Sequence, residues 1–261
     1  MTRISLPKNS KFTNGNYYKG NNLKKLKKIN VYRWDPDKKL NPTVDTFEID
    51  LDKCGQMVLD ALILIKDQID STLTFRRSCR EGVCGSCSMN IDGINTLACQ
   101  KNIKEIKGDI NIFPLTHLPV IKDLIVDRGA FDRIQQAGGY ISVNTSGDTQ
   151  DANSVPVPKK DADNAFDAAT CIGCAACVAS CKNSSAMLFV SAKVSQYALL
   201  PQGQVESKER VLNMVSQMDK EGFGNCTNTG ACEVECPKGI SLDNIARMNK
   251  EYFLASLSSD S

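Results

Sequence analysis

The sequence contains very little histidine and tryptophan. His117 and Trp34 are the only examples of each in 261 residues. A Rieske centre requires two histidines, and so would a haem held by two histidines of this chain, so the sequence excludes both groups. Because His117 lies between Pro114 and Pro119, we expect it in a loop and not at a metal.

Long apolar runs and an excess of charge are also missing. No run approaches the roughly 20 residues that cross a bilayer. The amino terminus has no apolar segment of the kind found in a secretory signal. The formal net charge of +2 argues against nucleic acid as the main partner. With 41% hydrophobic and 24% charged residues, the composition is typical of a soluble globular protein long enough for two domains.

Cysteine, in contrast, is abundant: there are twelve, and eleven of them fall into three groups. The groups are Cys79-x4-Cys84-x2-Cys87 followed by Cys99, Cys171-x2-Cys174-x2-Cys177-x3-Cys181, and Cys226-x5-Cys232-x3-Cys236-Pro237. Disulfides are disfavoured in a chain without a signal peptide. Structural zinc usually takes two Cys-x2-Cys pairs separated by a dozen or more residues, whereas Cys171, Cys174 and Cys177 form a closely spaced triple that is followed by Cys181. The spacings therefore favour iron-sulfur clusters over zinc.

The first group has the plant-type Cys-x4-Cys-x2-Cys spacing of a 2Fe-2S cluster. We expect Gly82 and Gly85 to permit the unusual backbone angles of a loop that bends tightly around a metal centre. The fourth thiolate comes from the far strand of a predicted hairpin. The predicted 2Fe-2S ligands are Cys79, Cys84, Cys87 and Cys99.

The other seven cysteines divide by the rule of two-cluster bacterial ferredoxins, in which the fourth cysteine of the run ligates the other cluster. The predicted 4Fe-4S ligands are Cys171, Cys174, Cys177 and Cys236, and those of the other cluster are Cys181, Cys226 and Cys232. Because three thiolates remain for the latter, it is predicted to be 3Fe-4S. The alternative is a 4Fe-4S cluster with a non-cysteine fourth ligand. Cys54 is left over and is expected to be a buried free thiol.

Local patterns predict a β-rich first domain. Residues 29–34 alternate like a strand, with 46–51 as the expected partner, and 57–69 repeat apolar residues at helical spacing. Asp92-Gly93 predicts a two-residue hairpin turn, and 109–113 predict a further strand. This order is that expected of a β-grasp ferredoxin domain.

The remainder of the chain is predicted to be basic arm, linker and helices. Residues 1–28 carry eight lysines or arginines and no acidic residue; we expect an irregular arm, either solvated or clasping a partner. Residues 120–136 look helical, and 138–158 have the composition of a linker. Four further segments have helical spacing: 161–170, 186–199, 205–219 and 241–256. The predicted fold class is α+β, with an N-terminal β-grasp 2Fe-2S ferredoxin-like domain and a C-terminal all-α bacterial-ferredoxin-like domain. The predicted parts are 1–28, 29–118, 119–160 and 161–257.

Two segments carry a family resemblance. The first runs from Thr74 to Ile91 and reads TFRRSCREGVCGSCSMNI; the second runs from Cys226 to Gly239 and ends in Cys-Pro-Lys-Gly. Together with three cluster types in this order, they resemble the iron-sulfur subunit of succinate dehydrogenase and fumarate reductase. The resemblance covers nearly the whole chain.

The resemblance implies a function in respiration and the tricarboxylic acid cycle. Electrons would pass from the FAD of a flavoprotein subunit through 2Fe-2S, 4Fe-4S and 3Fe-4S clusters to quinone at a membrane anchor, by implication a cytochrome b. The chain would be a subunit of succinate dehydrogenase with no catalytic acid, base or nucleophile of its own. It would lie peripherally on the cytoplasmic face of the plasma membrane.

The resemblance is not uniform along the chain. Up to about residue 118 the sequence resembles the alphaproteobacterial and mitochondrial branch, and beyond it the Bacteroidetes-type branch with a dihaem cytochrome b anchor. In the former, a proline and then a tryptophan pair at the quinone site would follow Cys181; here Lys182 follows and Trp34 is the only tryptophan, so no quinone site is carried over. We hypothesise a join near residues 115–122, by recombination, engineering or sequence assembly.

Three other functions fit parts of the pattern. A fumarate-reducing enzyme would use the same subunit in the opposite direction. A free-standing polyferredoxin would carry the same clusters to several soluble partners, but the basic arm and the family resemblance argue against it. A structural zinc protein would be colourless and would contain no acid-labile sulfide.

Overall fold

The computed structural model describes residues 12–20, 24–38, 40–141 and 156–259. The chain divides into two compact units, Met1–Asp127 and Arg128–Ser261. In the described part, the first unit contains a mixed sheet and one α-helix, and the second contains eight α-helices. This division agrees with the predicted α+β class.

The first unit is built on a six-stranded sheet with the order β1-β3-β2-β6-β4-β5. Its strands are β1 (Thr13–Tyr18), β2 (Leu26–Arg33), β3 (Thr43–Asp50), β4 (Ser88–Ile91), β5 (Ile94–Leu97) and β6 (Ile110–Phe113). Strand β2 pairs antiparallel with β3 and parallel with β6. The helix α1 (Val58–Gln68) lies between β3 and β4 in the chain, as the helical spacing of 57–69 predicted.

The alternation of apolar residues places one side of the central strands in the core. Ile29 and Val31 of β2 and Phe47 and Ile49 of β3 are all buried, as expected for side chains two residues apart on one face of a strand. The Asp92-Gly93 turn is confirmed: β4 and β5 pair antiparallel on either side of it, and both residues have positive φ, +50° and +85°.

The amino-terminal arm is more regular than predicted. Within residues 1–28, Thr13–Tyr18 forms strand β1, which pairs parallel with β3 and has a register shift between Asn14 and Tyr17. Most of its side chains are exposed, so the strand lacks the apolar alternation by which it could have been predicted. Residues 1–11 and 21–23, also part of the predicted arm, lie outside the described residues.

The helix predicted over 120–136 is wrong in its first half. Strands β7 (Val120–Lys122) and β8 (Ile125–Val126) form a hairpin, and α2 (Gly129–Gly138) begins only afterwards. Asp123, at φ +46°, accounts for the difference. Its backbone N–H donates to the carbonyl of Trp34, and its carboxylate accepts from the backbone N–H groups of Trp34 and Thr74. These tertiary bonds stabilise a turn where the apolar spacing suggested a helix.

The second unit is helical, as predicted. Its further helices are α3 (Lys159–Ala169), α4 (Ala176–Ser180), α5 (Met187–Ala198), α6 (Pro201–Gln204), α7 (Ser207–Lys220), α8 (Ala231–Val234) and α9 (Asp243–Ser259). Helices α3, α5, α7 and α9 confirm the four predicted segments. In the described part of the chain, no helix has both the length and the apolarity needed to cross a membrane. Most of the predicted linker, 142–155, lies outside the described residues.

Helix α5 is the centre of this unit and contacts α3, α6, α7 and α9.

A buried arginine of α7 links the ends of α2 and α6. Arg210 of α7 is 2% exposed and donates hydrogen bonds to the backbone carbonyls of Gly138, Tyr140 and Gly203. Burial lowers the pKa of Arg210 from its usual value, whereas the nearby Glu206 carboxylate opposes this shift. The guanidinium thus satisfies carbonyls at the ends of α2 and α6 that water does not reach.

Candidate metal centres

The first cysteine group is brought together by the β4–β5 hairpin. Cys79 and Cys84 lie in the loop before β4, Cys87 directly precedes β4, and Cys99 follows β5. Because Ser88 pairs with Leu97, Cys87 and Cys99 are at the same end of the hairpin, and the N–H of Ala98 donates to the carbonyl of Cys87 at 3.1 Å. The hairpin register therefore accounts for the proximity of Cys87 and Cys99, while the loop before β4 supplies Cys79 and Cys84.

The backbone of the loop turns its N–H groups toward the sulfur of Cys79. The N–H groups of Val83 and Cys84 each lie 3.4 Å from Cys79 Sγ. The N–H of Glu81 contributes most and the Cys84 thiol next; together with the N–H groups of Val83 and Cys84 they lower the pKa of Cys79 to about 6. Gly82 and Gly85 have φ of +72° and +66°, which confirms that these glycines supply backbone angles that the loop requires.

Burial has the opposite effect on the sulfur of Cys87. Cys87 is 3% exposed, and burial raises its pKa to about 12. A buried thiol of this kind is deprotonated only beside a strong positive charge, which bound iron supplies. One donor set thus combines a thiolate stabilised by N–H groups with sulfurs in an apolar environment. This combination fits a 2Fe-2S cluster, whose potential depends on both hydrogen bonds to sulfur and burial.

A substitution at Gly82 would test whether this loop shape is required. A Cβ at Gly82 would lie 2.9 Å from the side-chain amide carbon of Gln100, and alanine would add a left-handed penalty of about 1–2 kcal/mol. We expect Gly82→Ala to lower the iron and acid-labile sulfide content of the purified protein.

The matched control for Gly82→Ala is Gly108→Ala. Gly108 has a similar φ of +74°, and a Cβ there would meet nothing within 4 Å. The two variants carry the same backbone penalty, but Gly108 lies outside the cysteine loop. Equal iron contents in the two variants would contradict a special role for Gly82.

The second and third cysteine groups are divided between two cavities of the second unit. One cavity is lined by Cys171, Cys174, Cys177 and Cys236, together with apolar residues that include Ile172, Phe189 and Pro237. The structure therefore brings the last cysteine of the third group to the first three of the second group. This is the crossed arrangement that the ferredoxin rule predicts.

The other cavity is lined by the three remaining cysteines, Cys181, Cys226 and Cys232. Its other polar lining residues are Ser185, Thr227, Asn228 and Thr229. A fourth ligand to a cluster in this cavity would thus have to be a hydroxyl or amide oxygen, which binds iron less well than a thiolate does. The donor set fits a cluster with three protein ligands.

Short helices and left-handed residues position these sulfurs. Cys177 lies in α4 and Cys232 in α8, whereas Cys181 and Cys236 follow those helices. The residues before the two helices, Ala175 and Gly230, have φ of +69° and +75°. Each cysteine pair is therefore carried on the same local structure, a left-handed residue followed by one helical turn.

The four sulfurs of the first cavity lie in an apolar environment. Burial raises the pKa of Cys174 to about 11 and that of Cys177 well above its usual value. Burial also raises the pKa of Cys171, while the nearby Lys193 opposes this shift. Lys193 Nζ also donates to the carbonyl of Cys171 at 3.1 Å. Sequence reasoning did not identify Lys193, because a lysine in a helix 22 residues away carries no signal of such a contact.

An apolar wall lies between the two cavities. Leu188, Ala192, Ile240 and Ile245 form a buried cluster that packs against five of the seven cysteines. Leu188 lines both cavities. Backbone N–H groups again approach sulfur, from Asn228 to Cys226 and from Ile240 to Cys236, both at 3.4 Å. Such N–H groups favour negatively charged sulfur.

Cys54 stands apart from the three groups. It is half-buried, not fully buried as expected, and burial followed by the Asp60 carboxylate raises its pKa to about 11. All twelve cysteines are free of disulfides. Over residues 12–20, 24–38, 40–141 and 156–259, no three His, Cys, Asp or Glu side chains form a group that could hold a single metal ion.

Two known families match different parts of the chain. A family described as a 2Fe-2S iron-sulfur cluster binding domain matches residues 28–133, and one described as a 4Fe-4S dicluster domain matches residues 167–240. The chain is also 41% identical over 252 residues to a Paracoccus denitrificans protein named succinate dehydrogenase iron-sulfur subunit. That alignment covers 92% of this chain and 93% of the relative, so it extends over both parts that resemble different branches.

The fold has a solved counterpart. A chain of the Mycobacterium smegmatis Sdh1 complex in the apo form superposes with a TM-score of 0.67 at 24% identity. The match covers 87% of this chain and 95% of that chain. The likeness supports the fold of both units.

Proposed function

The chain belongs to the family of succinate dehydrogenase iron-sulfur subunits, and on this premise we propose that it is the electron-transfer subunit of a succinate:quinone oxidoreductase. The observation that carries the proposal is the division of eleven cysteines into three separate sets. One set lies in the loop and hairpin of the first unit, and two line cavities in the second. Each set matches the ligand requirement of one iron-sulfur cluster.

The ligand sets follow from which cysteines share a cavity or loop. We assign the 2Fe-2S cluster to Cys79, Cys84, Cys87 and Cys99, the 4Fe-4S cluster to Cys171, Cys174, Cys177 and Cys236, and the 3Fe-4S cluster to Cys181, Cys226 and Cys232. Bound clusters supply one-electron carriers. The chain itself supplies thiolates, N–H groups that stabilise negative sulfur, and apolar walls that exclude water. Because these groups serve electron transfer, we assign no catalytic acid, base or nucleophile to the chain.

The finer fold assignments are part of the same proposal. We propose that the sheet and α1 of the first unit form a β-grasp ferredoxin domain, with the 2Fe-2S loop between α1 and β4. The second unit is proposed to be bacterial-ferredoxin-like. Its two left-handed residues and short helices, with the cysteines exchanged between them, support this assignment.

The partners follow from the function. We propose that the chain receives electrons from an FAD-containing flavoprotein subunit and delivers them to quinone at a membrane anchor of the cytochrome b kind. It would then lie peripherally on the cytoplasmic face of the plasma membrane. The name of the Paracoccus relative supports the assignment to succinate dehydrogenase, and the solved neighbour is itself part of an Sdh complex.

Metal analysis and low-temperature EPR of the purified protein test the proposal. We expect iron and acid-labile sulfide in similar amounts. The air-oxidised sample should give the signal of a 3Fe-4S cluster, because an oxidised 4Fe-4S cluster of the ferredoxin kind is EPR-silent. Dithionite should add the signal of a reduced 2Fe-2S cluster. A colourless protein that contains zinc and no sulfide would refute the proposal.

A substitution at Cys232 tests the smallest ligand set. We expect Cys232→Ser to weaken or abolish the 3Fe-4S signal and leave the reduced 2Fe-2S signal at its wild-type intensity. The control is Cys54→Ser, which removes a half-buried cysteine outside the three sets and should leave both signals unchanged. A Cys232→Ser protein that lost only its 2Fe-2S signal would contradict the division of ligands.

A further inference from the structure

The residue that follows Cys79 has an unfavourable backbone conformation. Arg80 has a φ of +66°, in the left-handed region that side chains with a Cβ rarely adopt. It is also where the chain turns so that the N–H groups of Glu81, Val83 and Cys84 approach Cys79 Sγ. Something other than local preference must hold Arg80 in this conformation.

Asp60, in the first turn of α1, makes a contact that can do so. Arg80 Nη2 lies 2.5 Å from Asp60 Oδ1. The other carboxylate oxygen, Oδ2, accepts the backbone N–H of Met57 at 3.1 Å. Gly55 also lies against Asp60, since a Cβ there would come within 2.3 Å of Oδ2. These contacts fix the Asp60 carboxylate at the start of the helix independently of its contact with Arg80.

We propose that Asp60 is a positioning residue for the first cluster. By holding the Arg80 side chain, it keeps residue 80 left-handed and directs the three N–H groups at the sulfur of Cys79. The inference rests on the proposed function, in which Cys79 is a ligand of the 2Fe-2S cluster. The simpler alternative is an ion pair on the surface, because the side chains of Arg80 and Asp60 are 56% and 22% exposed and exposed pairs contribute little to stability.

The two interpretations differ in what they predict for the reduction potential. Reduction adds negative charge to a cluster, and N–H groups at sulfur stabilise that charge and raise the potential. If the pair holds the loop, its loss must weaken these hydrogen bonds and lower the potential. If the pair only lies on the surface, the two double variants must have the same potential, because they remove the same two charges and differ only in the backbone preference of residue 80.

Two charge-matched double variants separate the interpretations. The glutamine double variant combines Asp60→Asn with Arg80→Gln, which removes both charges and leaves residue 80 without support for a positive φ. The glycine double variant combines Asp60→Asn with Arg80→Gly, which also removes both charges, but glycine adopts positive φ at no steric cost. Asparagine at position 60 keeps an oxygen that can accept the N–H of Met57, so the start of α1 is preserved in both.

The measurement is an EPR-monitored redox titration of the 2Fe-2S signal in the full chain. We expect the glutamine double variant to favour the oxidised form on the order of tenfold, a shift of about 59 mV toward negative potential. The glycine double variant should stay near the wild type. Amide hydrogen exchange at Glu81, Val83 and Cys84 should accelerate in the glutamine double variant only. Asp67→Asn, which removes an exposed carboxylate of the same helix, is the control.

Two outcomes would overturn the positioning role. Equal potentials in both double variants and the wild type would leave a surface ion pair, and equal shifts in both would show that the backbone of residue 80 is not the link. A failure of the proposed function is distinguishable, because the wild type would then show no 2Fe-2S signal at all. In that case the amide exchange rates would still report whether the pair orders the loop.

Discussion

Replacing Cys236 with serine is expected to remove the 4Fe-4S cluster and to leave the 3Fe-4S signal in place. Replacing Cys181 with serine is expected to have the converse effect. The reason is the crossed division, in which Cys236 lines a cavity with Cys171, Cys174 and Cys177, while Cys181 lines the other. Each serine removes one thiolate from one ligand set and none from the other. Each variant should therefore lose the signal of one cluster and keep the signal of the other.

Low-temperature EPR with iron analysis distinguishes this result from a division along the sequence. If the run from Cys171 to Cys181 held the 4Fe-4S cluster by itself, Cys181→Ser would damage that cluster. Cys236→Ser would then damage the 3Fe-4S cluster. Cys54→Ser again serves as the control. Leu188 lines both cavities, so damage to one cavity could disturb the other. Circular dichroism should therefore verify that each variant keeps its helices.

Replacing Arg210 with methionine is expected to destabilise the second unit by about 3–5 kcal/mol, the usual cost of breaking a buried charged network. The substitution leaves the carbonyls of Gly138, Tyr140 and Gly203 without the Arg210 donor and removes the contact of Arg210 with Glu206. Methionine fills much of the volume, so the loss reflects hydrogen bonds more than a cavity. Urea unfolding of the cluster-free chain, followed by the helical circular dichroism signal, measures the effect.

Arg133 provides the matched control for Arg210. It lies in α2 and binds the carboxylate of Glu221 at 2.7 Å, but its side chain is 54% exposed. The side chain of Glu221 is 11% exposed but keeps Gln217 as a second partner. Arg133→Met should therefore shift the urea midpoint less than Arg210→Met, although more than the loss of a fully exposed pair, which contributes about 0–1 kcal/mol. Similar midpoints for the two variants would contradict the proposed role of Arg210 in holding α2 and α6.

The sequence predicted best the features that depend on residues close together in the chain. The Asp92-Gly93 turn needs two adjacent residues that tolerate positive φ. In the cysteine loop, Gly82 and Gly85 supply the positive φ that the loop requires. Helix α1 was predicted because its apolar residues repeat on one face. The crossed division of the cysteines stays a prediction from the spacing of the run, and the cysteines that line the two cavities support it.

Features that depend on distant partners were predicted poorly. Strand β1 forms because β3 offers it a free edge, and its own exposed residues carry no strand pattern. Asp123 turns the chain because Trp34 and Thr74 lie beside it, and the residues around it do not reveal this. The contacts of Asp60 with Arg80 and of Lys193 with Cys171 escaped prediction for the same reason, since charged side chains in helices usually face water.

The positions of the cysteines along the chain set the order in which each set is completed during synthesis. The last cysteine of the hairpin set is Cys99, so that set is fully translated before any of the second unit exists. The cavity of Cys181 receives its last sulfur at Cys232, and the cavity of Cys171 only at Cys236. A nascent chain therefore carries Cys171, Cys174 and Cys177 as an incomplete triad for some sixty residues, and a premature stop before Cys236 leaves that triad without its fourth thiolate.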